Sequence, residues 1–231
     1  MNKLNIAILT AMDVELAPII IELDLRRVGQ NFVGELDDIH ITATVAGVGK
    51  QRAVDAANRL CTTCNPALMI LAGFAGGLDP FLQPGYVCGP RRVILISGES
   101  IELPGEGDRT MLTVDKPITS AQMKQSLYKK YSADAVDMES FHVAKEAVKL
   151  GCELMIIKTI SDGADQNIPP WALGLVDDNG RTNMWAGVWA ALSHPRRIDV
   201  LFRLRRGAKE AANSLGVSVA GQLARWVASQ G

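Results

Sequence analysis

The sequence predicts one α/β domain, built on a largely parallel sheet with helices on both faces. Three observations carry that prediction. The chain has 231 residues, 48% of them hydrophobic, which is enough for a single substantial core. Short apolar runs of β type alternate with stretches of helical period, the pattern of repeated βα units. The carboxyl ends of the predicted strands, where ligands collect in such sheets, carry glycines and acids.

Residues 3–10 form the first strand, and residues 11–23 place Met12, Leu16, Ile19, Ile20 and Leu23 at helical spacing. Residues 39–45, rich in Ile, Thr and Val, read as the next strand. Gly47-Val48-Gly49 breaks it, and residues 50–60 resume helical period with Ala53, Val54, Ala57 and Leu60. Residues 67–72 are an apolar strand ending in Gly73-Phe74-Ala75-Gly76-Gly77. The stretch 97–108, rich in glycine and acids (Glu99, Glu102, Glu106, Asp108), reads as a loop. Residues 140–150 are a helix entered from Ala135-Val136-Asp137-Met138-Glu139, and residues 154–160 a strand ending in Ser161-Asp162-Gly163-Ala164-Asp165.

Charge and cysteine usage narrow the function classes. With 24 Lys and Arg against 25 Asp and Glu, the chain lacks the basic field of a nucleic-acid binder. No apolar run approaches the roughly 18 residues that span a bilayer, and the first run stops at Thr10, too short for a signal peptide. A cytoplasmic protein is expected. Cys61, Cys64, Cys88 and Cys152 are scattered apart from Cys61-Thr62-Thr63-Cys64, and His40, His142 and His194 supply no matching ligand spacing. Reduced thiols, and no metal site, are expected.

The glycine motifs fail their better-known templates. Val45-Ala46-Gly47-Val48-Gly49-Lys50 lacks the first glycine and the final Ser or Thr of a phosphate-binding P-loop, and Arg52 stands where GxGxxG needs its last glycine. Two readings of these turns stay open: close packing of helix on strand, or backbone amides that approach an oxyanion. The acids are also ambiguous singly. Glu15 sits in a first helical turn, Glu139 at a strand-to-helix junction and Asp162 at a strand end, all places where an acid serves merely as cap or solvated charge. Their convergence on one sheet edge points to chemistry.

Taken in order, Thr10-Ala11-Met12-Asp13-Val14-Glu15, Ala46-Gly47-Val48-Gly49-Lys50, Ala72-Gly73-Phe74-Ala75-Gly76-Gly77-Leu78, Val136-Asp137-Met138-Glu139-Ser140 and Ile160-Ser161-Asp162-Gly163-Ala164-Asp165 resemble the motifs of the nucleoside phosphorylase and nucleosidase superfamily. Its methylthioadenosine/S-adenosylhomocysteine nucleosidases are the hydrolytic branch. A narrower resemblance, to the hopanoid-associated phosphorylases, rests on Gly76-Gly77-Leu78-Asp79-Pro80, Pro84-Gly85, Val114-Asp115-Lys116, Ile168-Pro169-Pro170 and Val176-Asp177-Asp178-Asn179-Gly180-Arg181.

The resemblance implies a three-layer α/β/α sandwich with a mixed, largely parallel central sheet, one domain over residues 1–231. It also implies cleavage of the N-glycosidic bond of an adenine nucleoside bearing a bulky or apolar 5′ substituent, adenosylhopane in the narrower reading. Such a reaction passes through an oxocarbenium-like sugar, so the site must protonate the base, stabilise the ribose and hold a nucleophile. By resemblance, Asp162 is the general acid at purine N7, which calls for burial to raise its pKa. Glu139 takes the ribose hydroxyls, with Met138 against the sugar, and Glu15 orients the nucleophile. Met12, Gly47, Val48, Gly49, Phe74, Ala75, Gly76, Gly77, Lys158 and Ser161 are the implied substrate-binding positions. Phe74 stands where the nucleosidases have Ser and Lys158 where they have Arg; the base-stacking Phe is missing, with Ile118 roughly in its place.

Glu15 favours water as the nucleophile because a carboxylate repels phosphate, whereas Lys158 and open glycine amides favour inorganic phosphate as co-substrate. Hydrolysis is expected, with phosphorolysis the alternative. A nucleoside-binding module without turnover is a third reading, disfavoured by the three retained acids. The final segment, about 183–231, is expected to be helical. Trp171, Trp185, Trp189 and Trp226 lie in the last quarter, and Arg196, Arg197, Arg203, Arg205, Arg206 and Lys209 interleave with Ile198, Leu201, Phe202 and Leu204. Such a helix either covers the sheet or a dimer partner, or docks on anionic lipid as a peripheral membrane contact. A homodimer is expected.

Overall fold

The computed structural model describes residues 3–36, 38–104, 107–169 and 198–230, and of residues 198–204 the backbone. The Trp171, Trp185, Trp189, Val176–Arg181, His194, Arg196 and Arg197 features lie outside the described residues, as does Pro170.

The first βα unit is β1 (Leu4–Thr10) and α1 (Asp13–Glu22). A hairpin of β2 (Arg26–Val28) and β3 (Asn31–Leu36) leads to β4 (Ile39–Val45) and α2 (Lys50–Cys64). Then come β5 (Leu68–Gly77), β6 (Val87–Cys88), β7 (Pro90–Leu95), β8 (Ser100–Glu102) and β9 (Arg109–Thr113). The last elements are α3 (Ala121–Tyr131), β10 (Ala135–Asp137), α4 (Ser140–Leu150), β11 (Leu154–Asp162) and α5 (Ile198–Ala228). The strands form one sheet in the order β2-β3-β4-β1-β5-β10-β9-β7-β8, with β11 paired to β5 and β6. Pairing is parallel for β1 with β4 and β5, and for β5 with β11; β3 with β4, β5 with β10 and β7 with β8 run antiparallel. The sheet is mixed, as expected: β5 with β10 runs antiparallel within it, and hairpins add antiparallel pairs at its margins.

Apolar residues bury each face separately. On one face Leu16 and Ile19 of α1 and Leu215, Val219, Leu223 and Trp226 of α5 pack on Ile6, Ile8, Leu68 and Ile70. On the other, Ala53, Ala57 and Leu60 of α2 with Phe141, Val143 and Ala147 of α4 pack on Ala7, Leu9, Met69 and Leu71. This alternation of inward and outward residues along β1 and β5 is the period-2 geometry of a sheet covered on both sides. The C-terminal helix therefore covers the sheet, and the Trp226 indole N–H donates to Glu153 Oε1 at 2.9 Å.

Two expectations are corrected. Residues 73–77 are not a turn: β5 runs on to Gly77, where Gly76 and Gly77 pair with Val136 and Ala135 of β10. The 97–108 loop contains β8, whose Ile101 pairs with Val93 and whose Glu102 is exposed on this margin strand. The β2–β3 hairpin, β7, β9 and α3 were not anticipated, because short and partly exposed elements carry little hydrophobic period.

Candidate active site

Glu15, Glu139 and Asp162 meet at one cleft of about 250 Å³. It is also lined by Met12, Val48, Phe74, Ala75, Gly76, Val136, Met138 and Ser161, together with Val114, Pro117, Ile118 and Ile168. The sheet's parallel centre accounts for the convergence: β1, β4, β5 and β11 all point their carboxyl ends here.

Glu15 is the third residue of α1 and is buried. Its Oε2 accepts the amides of Ala11 at 2.9 Å and Met12 at 2.8 Å, so it does cap its own helix. It also reaches 59 residues along the chain, where Oε1 accepts the Phe74 amide at 2.7 Å. A Cβ on Gly73 would lie 2.9 Å from Oε1, so glycine makes the room for this carboxylate. Burial pushes Glu15 up from 4.5 to about 7, against the opposing pull of Lys158 and the Phe74 amide.

Glu139 does not cap α4 with its side chain. Asp137 performs that task, accepting the Ser140 amide at 3.0 Å and the Ser140 hydroxyl at 2.6 Å on Oδ2, and the Thr113 hydroxyl at 2.9 Å on Oδ1. Glu139 is thereby released to accept the Gly49 amide on Oε1 at 2.9 Å. Burial raises it above the usual carboxylate range, while Lys158 draws it back. Lys158 is fully buried behind this layer, 3.0 Å from Asp137 Oδ2 and 3.9 Å from Glu139 Oε2. Burial alone would lower it, but Asp137, Glu139 and Glu15 together hold its ammonium above the ordinary value.

Asp162 ends β11 at a bulge: Ile160 and Asp162 oppose the consecutive residues Ala75 and Gly76, leaving Ser161 extra. Such an insertion re-aims the following side chain. Asp162 Oδ1 accepts the Ser161 hydroxyl at 2.6 Å, and Oδ2 accepts the Lys124 ammonium. A Cβ on Gly76 would come within 3.3 Å of Oδ2. The expected burial of a lone acid is thus replaced by burial against a cation.

Of the positions implied by resemblance, Met12, Val48, Phe74, Ala75, Gly76, Met138 and Ser161 line the cleft with the three acids. Gly47, Gly49, Gly77 and Lys158 do not line it. The Gly49 amide holds Glu139, Gly77 pairs with Ala135, and Lys158 sits under Asp137. Sequence reading missed Lys124 and Asp137. Lys124 had a signal: it shares a helical stripe with Leu127, Tyr128 and Tyr131, a core-facing place where lysine is rare unless paired.

A model of the phosphorylase superfamily matches residues 5–109 and 108–193. No curated protein sequence matches the chain. Among solved structures, a 5′-methylthioadenosine/S-adenosylhomocysteine nucleosidase of Helicobacter pylori is 17% identical with a TM-score of 0.74, covering 97% of this chain and all of its own. A putative nucleosidase of the same kind from Francisella philomiragia is 20% identical with a TM-score of 0.72, at 97% and 100% coverage. The futalosine hydrolase of H. pylori is 18% identical with a TM-score of 0.66, at 92% and 95% coverage.

Proposed function

The chain belongs to the phosphorylase superfamily, and from that premise we propose that it cleaves the N-glycosidic bond of a purine nucleoside, with adenine as the base and water as the acceptor. The observation that carries the choice of water is the state of the anion-binding groups. The Gly49 amide already serves Glu139, the Phe74 amide already serves Glu15, and Lys158 is spent on Asp137. A phosphate dianion would find these donors taken and carboxylates beside them. A water needs one good acceptor, which Glu15 offers on the cleft wall.

In this reading the Asp162 carboxyl, with Lys124 against it, passes a proton to N7 as the C1′–N9 bond breaks and its electron pair goes to the base. Glu139 accepts the ribose hydroxyls, Met138 packs on the sugar, and Glu15 takes a proton from the attacking water. A base that titrates at about 7 suits proton transfer at neutral pH. Glu139→Gln then weakens both binding and turnover, since ribose contacts act in both states.

The test is base release from methylthioadenosine in phosphate-free buffer with the sugar product identified. Free reducing sugar is the expected product. Strict dependence on phosphate with a sugar 1-phosphate product refutes hydrolysis, and saturable binding with no base released supports the binding-module alternative. The bulky 5′ substituent, adenosylhopane in its sharpest form, rests on the motif likeness. It calls for contact with an anionic lipid surface, for which Arg205, Arg206 and Lys209 are exposed on α5. Absence of salt-sensitive co-sedimentation with anionic vesicles counts against it. Among the described residues no helix is long and apolar enough to cross a membrane.

A further inference from the structure

A second cavity, of about 200 Å³, opens at the other end of β11. Leu154 and Ile156 at the start of the strand line it, whereas Asp162 at the strand's end lines the cleft. Six residues of extended chain, about 20 Å, separate the two. The buried part of its lining is apolar: Leu103, Leu154 and Ile156, with Trp226 only 9% exposed. The solvent-exposed part carries two opposite charges, Arg91 and Glu153.

Both charges have specific surroundings. Arg91 is the extra residue of a β-bulge, since Pro90 and Arg92 oppose the consecutive residues Arg109 and Thr110. Bulges re-aim side chains and recur beside functional sites. The flanking Arg92 pairs with Glu102, and Arg109 with Asp79 and Asp134; among the described residues Arg91 and Glu153 have no ion partner. The Trp226 indole N–H fixes Glu153 through Oε1 and leaves Oε2 open.

We propose that this cavity binds a free α-amino acid with an apolar side chain: its carboxylate meets Arg91, its ammonium meets Glu153, and its side chain enters the apolar lining. The proposal does not depend on the nucleoside reading of the cleft. Glu153 repels a plain anion and Arg91 a plain amine, so a ligand carrying both signs complements the pair best. An α-amino acid holds both charges on one carbon and leaves its side chain free for the buried surface. The volume suits a ligand of that size, since drug-sized molecules occupy pockets of about 300 Å³ or more.

The experiment is calorimetric titration of the whole chain with L-leucine, L-methionine and L-phenylalanine. Each is compared with its N-acetyl derivative, which lacks the ammonium, and its amide, which lacks the carboxylate. At least one of the three is expected to bind saturably with a Kd below about 1 mM, and both of its derivatives at least about tenfold more weakly. Arg91→Gln and Glu153→Gln, with folding followed by circular dichroism, are each expected to weaken binding of that amino acid to the same degree. Glutamine keeps an acceptor for the Trp226 N–H, so the second variant removes the charge and retains the bond. No saturable binding of any of the three up to about 10 mM overturns the proposal. Binding that a derivative matches, or that either folded variant keeps in full, also overturns it, because the ligand is then held elsewhere or by one end only. If a variant fails to fold, the derivatives decide on the wild type alone.

Discussion

Glu15 and Asp162 line one cleft and are held in opposite ways. Glu15 is held by three backbone amides, those of Ala11, Met12 and Phe74, with its nearest cation acting only across space. Asp162 is held by two side chains, the Lys124 ammonium and the Ser161 hydroxyl. Amides orient a carboxylate without neutralising it, so burial dominates and Glu15 keeps its proton up to about pH 7. An ammonium neutralises the carboxylate it orients. Two chemically identical groups thus acquire different characters from where the chain supplies their partners, and the proposed division into water base and base-contacting acid follows from that difference.

The largest expected effect comes from making each acid an isostere. Asp162→Asn and Glu15→Gln are each expected to lower turnover at least about a hundredfold, the usual scale for a positioned acid or base. Base release under saturating nucleoside measures both, and full activity in either variant removes that residue from the mechanism. The comparison sharpens with pH. Glu15 binds its proton more tightly folded, at about 7, than unfolded, near 4.5. Stability from this group is therefore complete below about pH 4.5 and lost as pH rises to about 7, a change of about 3 kcal/mol. Urea unfolding at pH 5 and pH 8 should show that slope in the wild type and its reduction in Glu15→Gln; equal slopes would place the Glu15 proton elsewhere.

How far this was legible from the chain alone divides along the same line. The βα units of the sheet centre were readable because β1 and β5 are largely apolar on both faces, β4 is rich in Ile, Thr and Val, and α2 and α4 are strongly periodic. The three acids were readable because each lies at or just past a strand's carboxyl end. What holds them was not. The Phe74 amide reaches Glu15 across 59 residues and the Gly49 amide reaches Glu139 across 90; no local pattern encodes a backbone donor that distant. The glycines of β5 were visible but misassigned to a turn, since a strand whose side chains are missing to make room for two carboxylates reads like a break. Lys124 went unseen because a lysine beside Leu127, Tyr128 and Tyr131 in a helix otherwise rich in polar residues reads as a solvated charge.

Those two β5 glycines separate the walls at a smaller scale. Gly73 lies under Glu15 and Gly76 beside Asp162, where an added Cβ would sit 2.9 Å from Glu15 Oε1 and 3.3 Å from Asp162 Oδ2. Gly73→Ala must displace the carboxylate or the strand, and about a tenfold loss of turnover is expected, as for modest misplacement of a reacting group. Gly76→Ala has the looser contact and is expected to act on base selectivity more than on the pH profile. Steady-state kinetics of both variants with 6-amino and 6-oxo nucleosides decides. If Gly73→Ala shifts base selectivity while Gly76→Ala shifts the acid limb, the assignment of the two walls is reversed.

The smallest effect is expected at Ser161, and it weighs a hydroxyl against an ammonium on one carboxylate. Ser161→Ala removes the 2.6 Å donor to Asp162 Oδ1 but leaves Lys124 on Oδ2. A hydrogen bond from a neutral group to a charged one contributes about 1.5–3 kcal/mol when its loss leaves the acceptor dry. Asp162 lines the cleft, where water or the purine replaces the lost donor, so the cost falls below that range. Turnover is expected to drop about three- to tenfold, because the Lys124 ammonium still holds Asp162 in place. The kcat for base release in Ser161→Ala, set beside that of Asp162→Asn, is the measurement. If the hydroxyl variant loses as much turnover as Asp162→Asn, the hydroxyl rather than the ammonium holds Asp162 in its working position, and the contrast between an amide-held and a cation-held carboxylate fails at that acid.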